Sequence, residues 1–534
     1  MKRFFAAMAL TAAFVWVATV PVAAAVGRHP AYTFTSLLKP GFEPIVGDMD
    51  WLPNGKLAMV TLVMNGHEHI SGPGDVLILD GVLKGTGANV TVTKFASGFY
   101  TALGLTVVDG DVYVLDNRDG IIKLIDADKD GVAEGRSILW DKGINATDRK
   151  WVGGLEYKDG FFFASVGVWI AGGVSGTPQP PLRGTILQIT KDGSHGEAIV
   201  GGLRNPNGIG FGPNGELFAS DNQGAWLPSS KIVQIRPGEF YGHAETPFAE
   251  KPITPPLAWL PHGELSRSPS TPLILTQGRY AGQMLVGEVT NQAIHRVSLE
   301  TVKGRLQGCV FRFAWEMPAG VNRLLAAPDG SIIVGGVGGD GGWTLQEPWY
   351  DLERMTPTAV VPFEMFAIRT MSATSMEVEF TKPLGTDAAA AAKFQVRQWR
   401  YVPTSTYGGP KVDDVALTVQ KVTLSADGLK ATLEIAGLKV GSVVHITLKD
   451  LTSKTAETPW GADAYYTLNA FGPADKVVAI KSDRSNVVTN GKQQVLMEKQ
   501  GSGMVMNQVR GSRPVRVVSA DGKVLRDFSE KVRP

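Results

Sequence analysis

The sequence predicts an all-β protein: a six-bladed β-propeller followed by an immunoglobulin-like β-sandwich and a short C-terminal β or tail segment. Three observations predict it. A Gly or Asn, an apolar alternation and an Asp/Asn-Gly turn recur five times ahead of an apolar run: Gly47 to Gly55, Gly104 to Gly110, Gly154 to Gly160, Gly208 to Gly215 and Asn322 to Gly330. A weaker sixth copy, Tyr280-Ala281-Gly282-Gln283 ahead of Met284-Leu285-Val286-Gly287, fills the long gap. The turn glycines at 55, 110, 160, 215, 282 and 330 repeat roughly every 50 residues, the range of a four-stranded propeller blade.

The second observation is the texture inside the repeats. Runs such as Asp111 to Asp116 and Ser331 to Val334 are apolar, short and bounded by Gly, Asn and Asp, and no long helical periodicity interrupts them. The third is a change after Pro362. Ser375 to Phe380 and Lys430 to Ile435 alternate strictly, and Ser442 to Leu448 is mostly apolar. Several such strands within about 110 residues suggest the sandwich. The expected organisation is therefore a signal peptide at 1–25, the propeller at 30–357, the sandwich at 362–470, and a small β appendage or partly disordered tail at 471–534.

The 534-residue chain is long enough for two or three domains. Its 52 Lys and Arg nearly balance its 51 Asp and Glu, so no basic surface calls for nucleic acid. Lys2 and Arg3, the apolar stretch Phe4 to Val22 and the small residues Ala23 to Ala25 read as a cleaved export signal, which implies a periplasmic or secreted protein. No second apolar run reaches membrane length, so no membrane span is expected in the mature protein. Cys309 is the single cysteine, which excludes an internal disulfide and Cys-x-x-Cys-His haem attachment.

Several stretches carry chemistry. Asp126-Ala127-Asp128-Lys129-Asp130-Gly131-Val132-Ala133-Glu134 places carboxylates at alternating positions before a Gly, as in the first half of a calcium loop. Asp126, Asp128, Asp130, Glu134 and the Val132 carbonyl are the candidate ligands of a structural calcium, although position twelve is Ser137 and no helices flank the loop. A solvated acidic turn would use the same residues. His67 and His69 of His67-Glu68-His69 share one side of an extended chain, but no third metal ligand accompanies them. Leu260 to Pro269 is a polar loop with His262, Glu264 and Arg267 in six residues, suited to the rim of a propeller.

Gly202-Leu203-Arg204-Asn205-Pro206-Asn207-Gly208, Asp221-Asn222-Gln223-Gly224 and Phe240-Tyr241-Gly242-His243 resemble the soluble glucose/sorbosone dehydrogenase superfamily, propeller enzymes that use pyrroloquinoline quinone and calcium. These stretches, with residues 260–269 and Ala319 to Leu324, look closest to the membrane-bound-dehydrogenase-like propellers of planctomycetes and verrucomicrobia. The likeness covers most of residues 40–470, and the haem domain that many of those relatives carry is missing here.

The resemblance implies that Arg204 and Asn205 meet the cofactor, as a guanidinium and an amide suit a flat polyanionic quinone. It implies that the turn Asp221, Asn222, Gln223 and Gly224 supplies backbone oxygens to calcium, with Ala225 in place of the family's usual Pro, although an ordinary Asx turn would use the same residues. It departs at the base: where the family has a His, this chain has Lys150 or Trp151. Lys150 is a base only if burial lowers its proton affinity, and Trp151 is suited to stacking on a sugar or the quinone. His262 is then the candidate catalytic imidazole, with Arg204 beside the chemistry. The expected function is an exported oxidoreductase acting on a sugar or aldose-type substrate, with a periplasmic electron acceptor. The alternative is a non-redox carbohydrate-active propeller, a lyase or hydrolase, or a glycan-binding protein.

Overall fold

In the computed structural model of the chain, the described residues are 27–64, 70–144, 152–169, 179–339 and 347–473, with five strand segments between 487 and 527. Six four-stranded antiparallel meanders form the propeller. Their inner strands are Val46–Trp51, Gly104–Val108, Val152–Lys158, Gly208–Phe211, Pro269–Ile274 and Gly320–Ala326, and define blades 1 to 6. Each inner strand packs on the next, and the sixth returns to the first, so the ring is closed. The six glycines of the sequence repeat all sit between a blade's first and second strands at φ between +81° and +93°, the left-handed region that a side chain disfavours. That is why this position is legible in the sequence.

One strand of blade 6 comes from elsewhere. Its outermost member is the N-terminal strand Tyr32–Ser36, which pairs antiparallel with Tyr350–Pro357 and ties the two ends of the propeller together. The short, half-exposed run Tyr-Thr-Phe-Thr-Ser lacks the repeat's turn signals.

In a blade that runs outward from the axis, the loops after the second strand and after the fourth strand emerge at one end of the ring. The turns after the first and third strands emerge at the other. The first end is called the mouth below. At the axis, blade 6 supplies Asn322 and Arg323, both buried. Asn322 Nδ2 donates to the carbonyls of Val46 (2.8 Å) and Gly47 (3.1 Å), and its Oδ1 accepts from Asn207 Nδ2 (3.0 Å). Arg323 donates to the Leu103 carbonyl and lies 3.1 Å from Asp48. These two side chains thus join blades 1 and 6 to the loops leading into blades 2 and 4. Next to them lies an axial cavity of about 90 Å³ lined by Asp48, Asp50, Glu156 and Arg323.

Beyond the propeller, two four-stranded sheets form the sandwich in Greek-key order. One contains Met365–Ser372, Ser375–Phe380, Lys430–Ile435 and Val419–Leu424. The other contains Asp463–Leu468, Ser442–Leu448, Phe394–Arg400 and Val412–Leu417. This second sheet is continuous with blade 5, because Asp463–Leu468 pairs with the blade's outer strand Arg305–Ala314 through Cys309↔Tyr466, Val310↔Tyr465 and Phe311↔Ala464. Cys309 is buried in that joint, and burial pushes its thiol well up. Residues 477–534 make a second compact unit, with a three-stranded meander (Val487–Asn490, Gln493–Gln500, Gly503–Val509) and a hairpin of Arg516–Val518 with Val524–Asp527. Among the described residues, no helix is long and apolar enough to cross a membrane. The expected export signal at 1–25 lies outside the described residues.

Replacing Asn322 by Ala strands two carbonyls and the Asn207 amide at the axis. The expected cost is about 3 kcal/mol, since buried polar groups left unpaired are expensive. Urea unfolding of the Asn322→Ala protein checks it.

Candidate functional site

The mouth of blade 4 gathers most of the residues expected at the site. Its loop from the preceding blade carries Arg204 and Asn205, and the loop after its second strand carries residues 222–229. Asp221 closes that second strand and is fully buried. Its carboxylate accepts the backbone N–H groups of Asn205 (2.8 Å) and Arg204 (3.1 Å). The same device recurs in two other blades. Asp116 at the equivalent strand end of blade 2 accepts from the backbones of Tyr100, Arg118 and Asp119. Glu288 in blade 5 accepts from Arg267 (2.9 Å) and Ser268 (2.5 Å). A buried carboxylate thus braces the mouth loops of three blades. Burial raises all three acids, Glu288 to about 7, and the N–H donors oppose the rise.

The rest of the 221–224 turn is likewise tied. Asn222 Oδ1 accepts from the Ser230 hydroxyl (3.3 Å), and Gln223 Nε2 donates to the Pro228 carbonyl (3.0 Å). Gly224 donates to the Leu227 carbonyl (3.0 Å) and accepts from the Gly408 N–H (2.9 Å). The Asp221 carboxylate, Asn222 Oδ1 and the Gly224 carbonyl, three of the oxygens in this turn, thus already have protein partners. The turn shapes the bed for Arg204, whose Nε would lie 2.5 Å from a Cβ at position 224.

Arg204 itself is differently placed. It is 9% exposed, and its guanidinium makes no hydrogen bond or ion pair among the described residues. Its one charged-group contact is the ring of Tyr407, 5.3 Å from Cζ to centroid. Tyr407 belongs to the sandwich loop 401–411, which sequence reasoning had not connected to the site.

Three ionisable groups surround this floor. The long connection of blade 4 runs back along the mouth, where His243 donates its backbone N–H to the Gly202 carbonyl (2.9 Å). Burial, and secondarily the Arg204 charge, lower the His243 imidazole to about 4. Lys231 is buried, donates to the Tyr241 carbonyl, and is lowered by burial to about 8 against the pull of Asp221. His243 follows the Phe-Tyr-Gly motif and could be marked from sequence. Lys231 carries no motif, so no sequence signal distinguishes it.

His262 is exposed on the adjoining loop, with its backbone N–H on the Ser229 hydroxyl (3.0 Å). Partial burial and then Arg267 lower its imidazole. It shares the rim with Arg204 without touching it. Glu264 of the same loop pairs with Lys411 of the sandwich. Lys150, Trp151 and the His67-Glu68-His69 stretch lie outside the described residues.

The acidic hairpin lies elsewhere. Residues 126–134 join the third and fourth strands of blade 2, at the end of the ring opposite the mouth. There the ligand oxygens of Asp126, Asp128, Asp130 and Glu134 lie within 4.8 Å of one another. Asp126 Oδ1 is buried and has no partner, while Val132 is exposed in the same turn. An orphaned carboxylate oxygen in a tight acidic cluster fits a hard cation.

Sequence reasoning also missed the axial acids. Burial raises Asp48 to about 6 despite Arg323, raises Asp50, and raises the half-buried Glu156 well above its usual range. Asp48-Met49-Asp50 alternates visibly, but only ring closure shows that the alternate face is the axis.

No protein-family model and no curated protein matches the chain. Solved structures do. The chain is similar to the pyrroloquinoline quinone-bound aldose sugar dehydrogenase of Streptomyces coelicolor, at 18% identity and a TM-score of 0.43, over 61% of this chain and 99% of that one. It is similar to the pyrroloquinoline quinone domain of pyranose dehydrogenase from Coprinopsis cinerea, at 14% and 0.42, over 61% and 98%. It is also similar to the α-L-arabinanase of Penicillium chrysogenum, at 14% and 0.39, over 62% and 100%. Any assignment of activity rests on the residues of the mouth.

The buried histidines set an acid limit. His243 and His295 are both lowered to about 4 from 6.5, so the unfolded chain binds more protons than the folded one between those values. Stability is then fully present above about 6.5 and falls as pH drops towards 4, by up to about 3 kcal/mol per imidazole. Urea midpoints at pH 7 and pH 5 are expected to separate less in His243→Gln than in the parent protein.

Proposed function

We propose that the chain is an exported oxidoreductase of the glucose/sorbosone dehydrogenase type, which oxidises a sugar or aldose-type substrate at the mouth of blade 4 with pyrroloquinoline quinone. The observation that carries this reading is Arg204: a cation held in place by Gly224 and the Asp221 brace, with no carboxylate partner of its own. Such a group suits a planar anion. Arg204 and Asn205 would hold the quinone, which when bound supplies the hydride acceptor. Removing a hydroxyl proton from the sugar requires a neutral base. His243 remains neutral at pH 7 beside Arg204, and His262 stands on the adjoining rim. A periplasmic acceptor would take the electrons onward. Calcium belongs in this reading to the 126–134 hairpin, as a structural ion remote from the chemistry.

A specific observation favours a second reading. In the 221–224 turn the Asp221 carboxylate, Asn222 Oδ1 and the Gly224 carbonyl are taken up by protein donors, which leaves fewer oxygens for the calcium that the resemblance implies. A mouth with a cation and an exposed tyrosine also suits a non-redox carbohydrate-active or glycan-binding propeller.

The test is reconstitution. Purified protein with pyrroloquinoline quinone is expected to show quinone absorbance and sugar-dependent dye reduction. Arg204→Ala should weaken quinone uptake at least about tenfold, a loss of roughly 1.4 kcal/mol. Gly224→Ala, which displaces the same arginine, should do likewise. Sugar binding without quinone uptake would replace the first reading by the second.

Calcium is tested separately by melting in EDTA and in excess calcium. The parent protein should gain about 2.7 kcal/mol at a hundredfold excess over Kd. Asp128→Asn should gain nothing.

A further inference from the structure

We infer that the sandwich supplies one wall of the substrate site: Tyr407 is a stacking platform for a pyranose ring at the propeller mouth. This rests on the reading that the mouth takes a sugar, whether or not it is then oxidised.

The loop 401–411 is laid on blade 4 by the backbone. Trp226 donates its N–H to the Thr404 carbonyl (2.8 Å), Gly408 donates to Gly224 (2.9 Å), and Gly409 donates to Pro228 (3.0 Å). Ala225 and Tyr407 form an antiparallel bridge. Gly408 adopts φ +71°, and a Cβ there would lie 2.7 Å from Gln223 Nε2, so only glycine lets the two loops approach this closely. The Lys411–Glu264 ion pair anchors the far end of the loop to the neighbouring rim. None of these contacts uses the Tyr407 ring.

That ring nevertheless stands on the mouth with the residue 56% exposed, second only to Ile138 among the large hydrophobic side chains of the described residues. Beside it is the guanidinium of Arg204, whose donors have no protein acceptor among the described residues. A single exposed aromatic is ordinary, but one held rigidly beside a planar donor set with no protein acceptor presents a flat apolar face and hydrogen-bond donors together. A pyranose matches both. Its C–H face is apolar and positively polarised, and matches the negative face of the ring. Its hydroxyl and ring oxygens accept from Arg204. An open-chain polyol offers the oxygens without the flat face, so the pair Tyr407 and Arg204 selects ring form over open chain.

The experiment uses the full chain and three probes: glucose, cellobiose and sorbitol, titrated by calorimetry without quinone. Tyr407→Ala should weaken glucose and cellobiose about tenfold and change sorbitol by less than about twofold, while Tyr407→Phe retains parent affinity. Because the loop is held by its backbone, both variants are expected to melt with the parent. If Tyr407→Ala weakens all three probes equally, the ring merely positions Arg204 and the inference falls. It also falls if Tyr407→Ala changes none of them, or if the parent protein binds none. The redox reading fails independently. Tyr407-dependent glucose binding with no quinone uptake sinks that reading alone, and dye reduction undisturbed by Tyr407→Ala sinks this inference alone.

Discussion

Everything distinctive about this propeller depends on a sheet edge that was not left open. The outer strand of blade 5, Arg305–Ala314, is long, and an exposed strand of that kind invites pairing with another chain. Here Asp463–Leu468 occupies it, and one eight-stranded sheet runs from the axis of the propeller into the sandwich. The junction is also packed. Cys309 and Phe311 of the blade belong to the same buried cluster as Val378, Leu433 and Tyr466 of the sandwich. Val310, on the opposite face, lies with Trp399 and Val443. The sandwich core is therefore incomplete without propeller residues, and an independently tethered adhesive module would not be built this way.

A buried ionic knot fixes the third side of the joint. Arg296 of blade 5 lies 3.2 Å from Glu364 at the start of the sandwich, and His29 from the N-terminal segment lies 3.5 Å from the same carboxylate. Tyr280 donates its hydroxyl to Glu364 at 2.5 Å. All four side chains are buried, so breaking one member leaves charge stranded in the interior. The knot joins the strand that closes blade 6, the blade that carries the sandwich, and the sandwich itself. With the edge pairing, it gives the loop 401–411 a fixed base from which to reach across to blade 4.

The sequence shows the fold where the backbone demands a particular residue. Six turns need φ near +85°, so six glycines mark the blades, and blade 5 is legible through Gly282 even though its flanking pattern is weak. Tyr32–Ser36 needs nothing unusual of its residues, and a strand that completes a distant blade leaves no periodic mark. The site was legible in part for the same reason. Arg204, Asn205 and Gly224 stand in a motif because a close contact links them. What the motif could not show is direction. Asp221 reads as a ligand by its chemistry, yet it faces backbone N–H groups, as Asp116 and Glu288 do in sequences with no such motif. Tyr407 lies in a loop of Thr, Ser, Tyr and Gly, about 200 residues from its partner; only the sandwich joint brings it to the mouth.

The three carboxylate braces carry a consequence for the charge of the mouth. Each holds a loop that bears an arginine: Arg118, Arg204 and Arg267. The brace carboxylate in each case accepts backbone N–H groups and makes no hydrogen bond to the guanidinium of its loop; Arg118 pairs instead with Asp119 (3.4 Å). Arg118 lies 3.8 Å over the Tyr100 ring, the same cation-on-aromatic arrangement that Arg204 makes with Tyr407. Below, at the axis, Asp48, Asp50 and Glu156 share one small cavity with Arg323, which with Asn322 makes hydrogen bonds to three blades. The backbone hydrogen bonds of the braces fix their loops, and with them the positions of the arginines at the rim.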